Sequence, residues 1–550
     1  MVDILLIQPP LQDFYLTSKR TIPYGLASIA ASLEKEGFSV EILDGLATAK
    51  SRVMEMPESM MDLKAFYRGP DLSPISLFHH YRHFGYSFEH IGAKAKTSGA
   101  FLIGISSLFT AYGDMALTTA RLVREVCPGA KIVMGGHHPS ARPESVMSCE
   151  ALDFVLRGEG EISMPALARA IQQKKPLENV PGLVYRKIDR TLHISPPAVM
   201  ENLDDYSPPA LHLVKNKYYK RAAGGTSVIM TSRGCPMRCS YCSMGDSSTL
   251  PYRQRSYDSV LAEIELAVDR FGVRFIDFED EHLTLKREPF IRFLEQVITR
   301  FQGYDLELRA MNGLYPPSLD PEMMGLMKKA GFKALNLSLC STSPEQLQRF
   351  NRPDVSQAFD RILKAAAALN LETVGYIIVG APDQDPLASI ADLLYLAQRR
   401  ALAGVSVYYP APGSSDFEIC RRRGLLPESE QLMRASALPL SDKTTRRDSV
   451  TLLRLGRILN FMKILDEHPD HWLGENKQMK KEQERVTRGI RLLKMFFEDG
   501  RIRGVGPEGE IFEHVVSLNL TEAFVEGFKK EGNRFLRWQE EMLDKVISVY

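Results

Sequence analysis

Three of the chain's seven cysteines fall between positions 235 and 242, in the stretch SRGCPMRCSYCSMG. Cys235 and Cys239 are separated by three residues, Cys239 and Cys242 by two. That spacing puts three soft thiolate ligands on one short loop, a set that can grip zinc or an iron–sulfur cluster. A structural zinc site is closed by four ligands, and the nearest histidines, His212 and His282, are far off in sequence. Three thiolates on a four-iron cluster leave one iron open to a small molecule. Zinc with a distant fourth ligand, or unliganded cysteines, are the alternatives. Gly234 and Pro236 shape the loop, and Tyr241 stands directly before the last cysteine.

The loop follows the first strand of an alternating block, residues 226–424. Its candidate strands are TSVIMT (226–231), RFIDFED (274–280), LELRAM (306–311), ALNLSLC (334–340), TVGYIIVG (373–380) and VSVYYPAP (405–412). Amphipathic helices separate them, such as 256–272, where Val260, Leu261, Ile264, Val268 and Phe271 share a face. Ser343 and Pro344 supply an N-cap and a first-turn proline after the fourth strand. Such a run of βα units predicts a partial or full βα barrel, whose chemistry belongs at the C-terminal ends of the strands.

Residues 1–195 alternate in the same way. VDILLIQ (2–8), FSVEILD (38–44), FLIGIS (101–106), KIVMGG (131–136) and LDFVLRG (152–158) read as strands, and 24–37 as a helix closed by glycine. The pattern predicts an α/β, doubly wound, Rossmann-like domain. Residues 45–100 are too long for an ordinary connection and read as an insertion with its own helix signals. Residues 196–225, rich in Pro and Asp around ENLDDYSPPALHLV, read as a linker. Residues 425–550 read as mostly helical, with a hairpin over 500–514 and a last helix carrying Phe524, Phe528, Phe535, Trp538, Met542 and Val546.

The bulk numbers narrow the function. A formal net charge of +1 gives no strong field to attract nucleic acid or an anionic membrane. No apolar run is long enough to span a bilayer. An odd number of cysteines in so long a chain is unlike a secreted disulfide framework, and MVDILLIQPP lacks the features of a signal peptide. The expected setting is the cytoplasm.

With Tyr241 before its last cysteine, the Cx3Cx2C loop resembles that of the radical S-adenosylmethionine enzymes. The resemblance implies a [4Fe–4S] cluster on Cys235, Cys239 and Cys242. The open iron would be chelated by the amino and carboxylate groups of S-adenosylmethionine, and an electron would cleave the sulfonium to a 5′-deoxyadenosyl radical. Later landmarks keep the family's order. FIDFEDEHLTL (275–285) resembles the acidic motif that meets the methionine amino group, through Asp280. NRPD (351–354), GYIIVGAPDQD (375–385) with Gly380, and YYPAPGSS (408–415) resemble segments near the adenine and the barrel mouth. Tyr241 is expected near the adenine. Relatives often carry a Glu where this chain has Cys340, so that contact is not carried over; a small buried apolar residue is the reading for Cys340.

The first block resembles the cobalamin-binding domain that precedes many such barrels. The implied contacts are Gln8, Pro9 and Pro10 after the first strand, and Ser106, Leu108 and Thr110 of an S-x-L-x-T pattern. They continue with Gly135, Gly136 and His137 of GGHHPS, and Gly158 and Glu159 of RGEGE. His137 and His138 are adjacent and cannot share one face of an extended segment. The Asp-x-His-x-x-Gly signature is missing, which implies cobalamin bound without a protein histidine and with a weak or absent lower ligand. Tyr67, His79, His80, Tyr81, His83 and Tyr86 of the insertion could reach over the corrin. Together the resemblances imply a cobalamin-dependent radical S-adenosylmethionine enzyme that methylates an unactivated carbon of a small molecule, served by a flavodoxin- or ferredoxin-type electron donor. The alternatives are a non-methylating rearrangement, cyclisation or oxidation with the same cofactors, or a non-catalytic sensor. The sequence points to no particular catalytic residue, and to no chemistry for Cys127, Cys149, Cys340 and Cys420.

Overall fold

The run ILLIQ is apolar at every position but the last, as a strand covered on both faces requires. In the computed structural model Ile4–Gln8 forms that strand, β1. The structure describes residues 1–15, 22–205, 207–221, 224–244, 251–439, 441–467 and 477–530. With β1 run β2 (Val40–Asp44), β3 (Leu102–Ser106), β4 (Lys131–Gly135) and β5 (Phe154–Leu156), all parallel, in the order β2-β1-β3-β4-β5. Ile4 and Leu6 pack with the helices Tyr24–Lys35 and Gly160–Gln172. Leu5 and Ile7 pack on the opposite face with Phe88–Ser98 and Gly113–Val126. The doubly wound fold expected from the alternation is therefore present. Its strand order reverses between β1 and β3, where such sheets open a ligand crevice at their carboxyl ends.

A hairpin of β6 (Leu183–Arg186) and β7 (Leu192–Ile194) extends the sheet antiparallel beyond β5. These short, half-polar strands give no periodic signal, and the sequence pattern did not single them out. Within residues 45–100, Phe88–Ser98 is the crossover helix to β3. Arg82–Phe84 pairs with both Leu11–Asp13 and Ser51–Val53 in a small antiparallel sheet.

The second block builds β8 (Gly224–Ile229), β9 (Val273–Phe278) and β10 (Glu307–Arg309) as one parallel group. The strands β11 (Ala334–Cys340), β12 (Glu372–Val379) and β13 (Leu402–Val407) form a second. Single bridges, Leu308 to Phe332 and Leu314 to Leu337, join the two groups. The result is a six-stranded partial barrel, with β13 at an edge among the described residues. β13 starts and ends earlier than its apolar run suggests; it cannot run on through Pro410 and Pro412, which lack the N–H that a ladder needs.

The edge is closed by the helix Arg446–Glu467. Asn460 acts as a substitute strand partner: its Oδ1 accepts from the Ala403 N–H at 2.7 Å and its Nδ2 donates to the Ala403 carbonyl at 2.9 Å. Lys463 donates to the carbonyls of Leu396, Arg399 and Ala401. The two domains are also tied below the site. Glu263 accepts from Tyr24 of the first domain at 3.1 Å and pairs with Arg255 at 2.7 Å. Asn460→Ala is expected to lower stability by about 2 kcal/mol, since an orphaned buried backbone group costs roughly 1–3 kcal/mol. Urea unfolding checks this, and an unchanged midpoint would show that the edge needs no cap.

Candidate active site

The cysteine loop leaves β8 through Ser232–Arg233, which pairs antiparallel with Arg253–Gln254 at the loop's return. Both ends are thus pinched together. Gly234 turns with φ +84° and donates its N–H to the Glu281 carboxylate at 3.1 Å. The middle is gripped by the loops after β11 and β13. Ser240 donates its N–H to Phe350 at 3.0 Å and accepts the Asp416 N–H at 2.9 Å. Asn351 donates to the Arg238 carbonyl at 2.8 Å.

Cys239 is buried, and Cys235 and Cys242 are half-buried. Burial pushes the Cys242 thiol up to about 11 and raises Cys235, and the neighbouring sulfurs add to both shifts. Thiols so placed resist becoming anions together until a strongly cationic centre takes them, because metal coordination deprotonates a thiol outright. Among the described residues no three His, Cys, Asp or Glu side chains are gathered tightly enough to hold a single metal ion; a four-iron cluster takes its three thiolates on three separate irons. The donor set fits such a cluster. Arg352 Nη1 lies 3.6 Å from Cys239 Sγ and 3.1 Å from the Tyr241 hydroxyl, and its Nη2 donates to Ser338 Oγ at 2.8 Å.

Asp280 lies beside the loop, fully buried. Its carboxylate accepts the Thr231 N–H at 3.1 Å, Thr231 Oγ1 at 2.6 Å and Ser232 Oγ at 2.5 Å. It welds the end of β9 to the end of β8 just before the cysteines. Glu281 is solvent-accessible yet surrounded by protein, and this desolvation raises its pKa. Tyr241 packs edge-on against Phe350 at 5.0 Å. Gly380 ends β12 with φ +78°, and a Cβ there would stand 3.1 Å from Ser449 Oγ. Cys340 lies in an apolar cluster with Phe350 and Tyr408, and burial pushes its thiol up to about 12. It is un-ionised there, with an unusual φ of +76°.

The loops after β1, β3 and β4 converge at the switch point of the first sheet. Gln8–Pro10 runs so close to Gly45 that a Cβ there would sit 2.5 Å from the Gln8 carbonyl oxygen. Ser106 is half-buried, while Leu108 and Phe109 leave 48% and 53% of their surface open. Gly135 closes β4, and Gly136 follows with φ +122°, where a Cβ would meet the Ser107 carbonyl at 2.4 Å. Only glycine lets these loops touch. His137 and His138 open a short helix, His137–Ala141, rather than an extended segment; His137 is accessible and His138 is buried. His138 Nδ1 is 3.3 Å from Thr110 Oγ1 and its Nε2 is 3.9 Å from Glu430. The latter is too long for a hydrogen bond, and burial with Arg142 nearby holds the ring down at about 4, so it is neutral.

Gly158 and Glu159 follow β5 beside that group: the Gly158 N–H donates to Ser140 Oγ at 3.1 Å, and Ser140 Oγ donates to the Gly136 carbonyl at 2.8 Å. Gly158 bridges to Ala198 with φ +80°. Glu159 faces the barrel, pairing with Arg233 at 3.1 Å and Arg253 at 2.8 Å. The insertion's Tyr67 and Tyr81 are core, and His83 is held by the Tyr86 carbonyl. His79 packs edge-on against His80, and Tyr86 stacks on His90. The first domain touches the barrel side here: Arg142, after β4, lies over the Phe417 ring at 5.7 Å. A further buried polar group has no mark in the sequence pattern. Buried Asp13 accepts from Tyr112 at 2.5 Å and Ser436 at 2.8 Å and pairs with Arg434 at 3.3 Å. Burial and the Asp13 charge push Tyr15 up to about 12, and Tyr409 at the barrel mouth adds to the shift.

Comparison with known proteins agrees with this geometry. Residues 18–168 match the B12 binding domain, and residues 229–394 match the radical SAM superfamily. The chain belongs to the cobalamin-dependent radical S-adenosylmethionine proteins. An uncharacterized methyltransferase of Pyrococcus horikoshii is 26% identical over 390 residues, 70% of this chain and 75% of that one. Cytidylyl-2-hydroxyethylphosphonate methyltransferase of Streptomyces wedmorensis is 23% identical over 470 residues, 78% of this chain and 84% of that one. The cobalamin-dependent S-adenosylmethionine radical enzyme OxsB, solved with aqua-cobalamin and S-adenosylmethionine bound, shares the fold. Its TM-score is 0.63 at 16% identity, covering 99% of this chain and 81% of that one. The cofactors of the family are thus a [4Fe–4S] cluster, S-adenosylmethionine and cobalamin.

In a radical S-adenosylmethionine protein the loop must be held before the cluster can assemble. Asp280→Ala frees Thr231 and Ser232 at the loop's entrance. Anaerobic reconstitution is expected to give several-fold less iron per chain, with unchanged far-ultraviolet circular dichroism. Full iron loading would show that the loop holds without this carboxylate.

Proposed function

We propose that this chain transfers a methyl group to an unactivated carbon of a small molecule, taking electrons from a flavodoxin- or ferredoxin-type donor in a reducing cytoplasm. The observation that carries the reading is that the two cofactor-bearing regions are in direct contact. Arg142, after β4, lies over Phe417 beside the barrel mouth, and Arg233 and Arg253 at the ends of the cysteine loop pair with Glu159 and Glu161 of the first domain. When bound, the cofactors supply a 5′-deoxyadenosyl radical on one side and a transferable methyl group on the other.

The chain's own residues bind, orient and exclude water. Cys235, Cys239 and Cys242 hold the cluster. Tyr241, Asp280 and Gly380 frame the S-adenosylmethionine side, with Asp280 acting through the loop it fixes. Gln8, Pro9, Pro10, Ser106, Leu108, Thr110, Gly135, Gly136 and His137 offer the corrin and its tail a floor of backbone, hydroxyl and apolar groups. Leu108, Phe109 and Met311 are large apolar side chains about half exposed at the strand ends. Apolar groups there would exclude water and pack against an apolar part of a substrate. All seven cysteines are unpaired, which agrees with a reducing setting.

Anaerobic turnover of methyl-deuterated S-adenosylmethionine with a fractionated small-molecule extract tests the proposal. Deuterium is expected in a new carbon–methyl group, formed together with 5′-deoxyadenosine and S-adenosylhomocysteine. A changed, unlabelled product formed with 5′-deoxyadenosine would replace methyl transfer by a rearrangement, cyclisation or oxidation.

A further inference from the structure

Both ends of the cysteine loop are anchored in the other domain. Arg233 stands immediately before Gly234, and Arg253 is its partner on the returning strand. Arg233 reaches Glu159 at 3.1 Å and Glu161 at 2.6 Å, and Arg253 reaches Glu159 at 2.8 Å. The four side chains keep only 7–15% of their surface open. Glu159 also accepts the Met200 N–H, and its own N–H donates to Ala198 at 3.0 Å. The acidic pair is therefore fixed to the edge of the cobalamin domain's sheet, at the start of the helix Gly160–Gln172.

Holding a cluster does not require these contacts. Within the barrel the loop is already tied by Asp280, Glu281, Phe350 and Asp416. What the arginine–glutamate clamp adds is a fixed relation to the facing domain. Guanidinium–carboxylate pairs are directional, with donors in a rigid fork. Separating them would strand buried charge, so the domains resist sliding at this point. We infer that Glu159 and Glu161 are positioning residues, which set the distance and angle between the cysteine loop and the cobalamin crevice. The inference rests on the family assignment and adds a role for these two carboxylates.

The test uses full-length protein reconstituted anaerobically with iron, sulfide and cobalamin, then reduced so that the cluster and cob(II)alamin are both paramagnetic. Pulsed electron paramagnetic resonance reads the spin–spin interaction between them. The wild type is expected to show one narrow distance distribution. Glu161→Gln is expected to keep iron and cobalamin at wild-type content while the distribution broadens or splits. Arg253→Lys keeps the charge, loses the fork, and is expected to broaden it also, which covers a Glu161→Gln chain that loses its cluster. Narrow, unshifted distributions in Glu161→Gln and Arg253→Lys would overturn the inference. A wild type that takes up neither cofactor would overturn the family assignment instead.

Discussion

A loop carrying three cysteines must be held still against the mutual repulsion of its thiolates, and the rest of the structure is arranged round that constraint. Carboxylates restrain it from three directions. Asp280 fixes the entrance through Thr231 and Ser232, Glu281 takes the Gly234 N–H, and Glu159 with Glu161 grips both ends from the neighbouring domain. Asp280 is fully buried and its pKa is raised by desolvation, but three hydrogen bonds to its oxygens oppose that shift. The elements behind these groups follow from the constraint. β8 and β9 lie side by side so that their ends meet, and the loops after β11 and β13 fold inward to take Ser240.

The second requirement is a facing partner. A parallel sheet whose order reverses between β1 and β3 opens its carboxyl edge there, and glycines at 45 and 136 let neighbouring loops approach to backbone contact. The same edge is braced from the C-terminal region, where Arg434 and Ser436 reach Asp13 and Glu430 reaches Arg142. The first domain thus meets both the barrel and the segment after it.

Much of this was legible in the chain. The cysteine loop is local, so its spacing survives in sequence, and the long apolar strands declare themselves by period and by the glycines that end them. The doubly wound sheet and the partial barrel followed. What was not legible depends on pairs far apart. Glu159 meets Arg233 across 74 residues, and Ser436 meets Asp13 across 423. No local pattern marks such a partner. RGEGE carries a resemblance to a ligand-binding segment, but nothing in it marks the pairing of Glu159 with Arg233 of the barrel. Short half-polar strands such as β6 and β7 carry too few apolar positions to show a period. Residues 531–550, where Phe535, Trp538, Met542 and Val546 suggested a helix, lie outside the described residues.

Three cysteine thiolates on a four-iron cluster would leave one iron for S-adenosylmethionine. Electron–nuclear double resonance on the reduced, reconstituted protein tests it, using S-adenosylmethionine labelled with nitrogen-15 at the amino group and carbon-13 at the carboxyl. Hyperfine coupling of both labels to the cluster is expected. A fully loaded cluster with bound S-adenosylmethionine and no coupling to either label would contradict it.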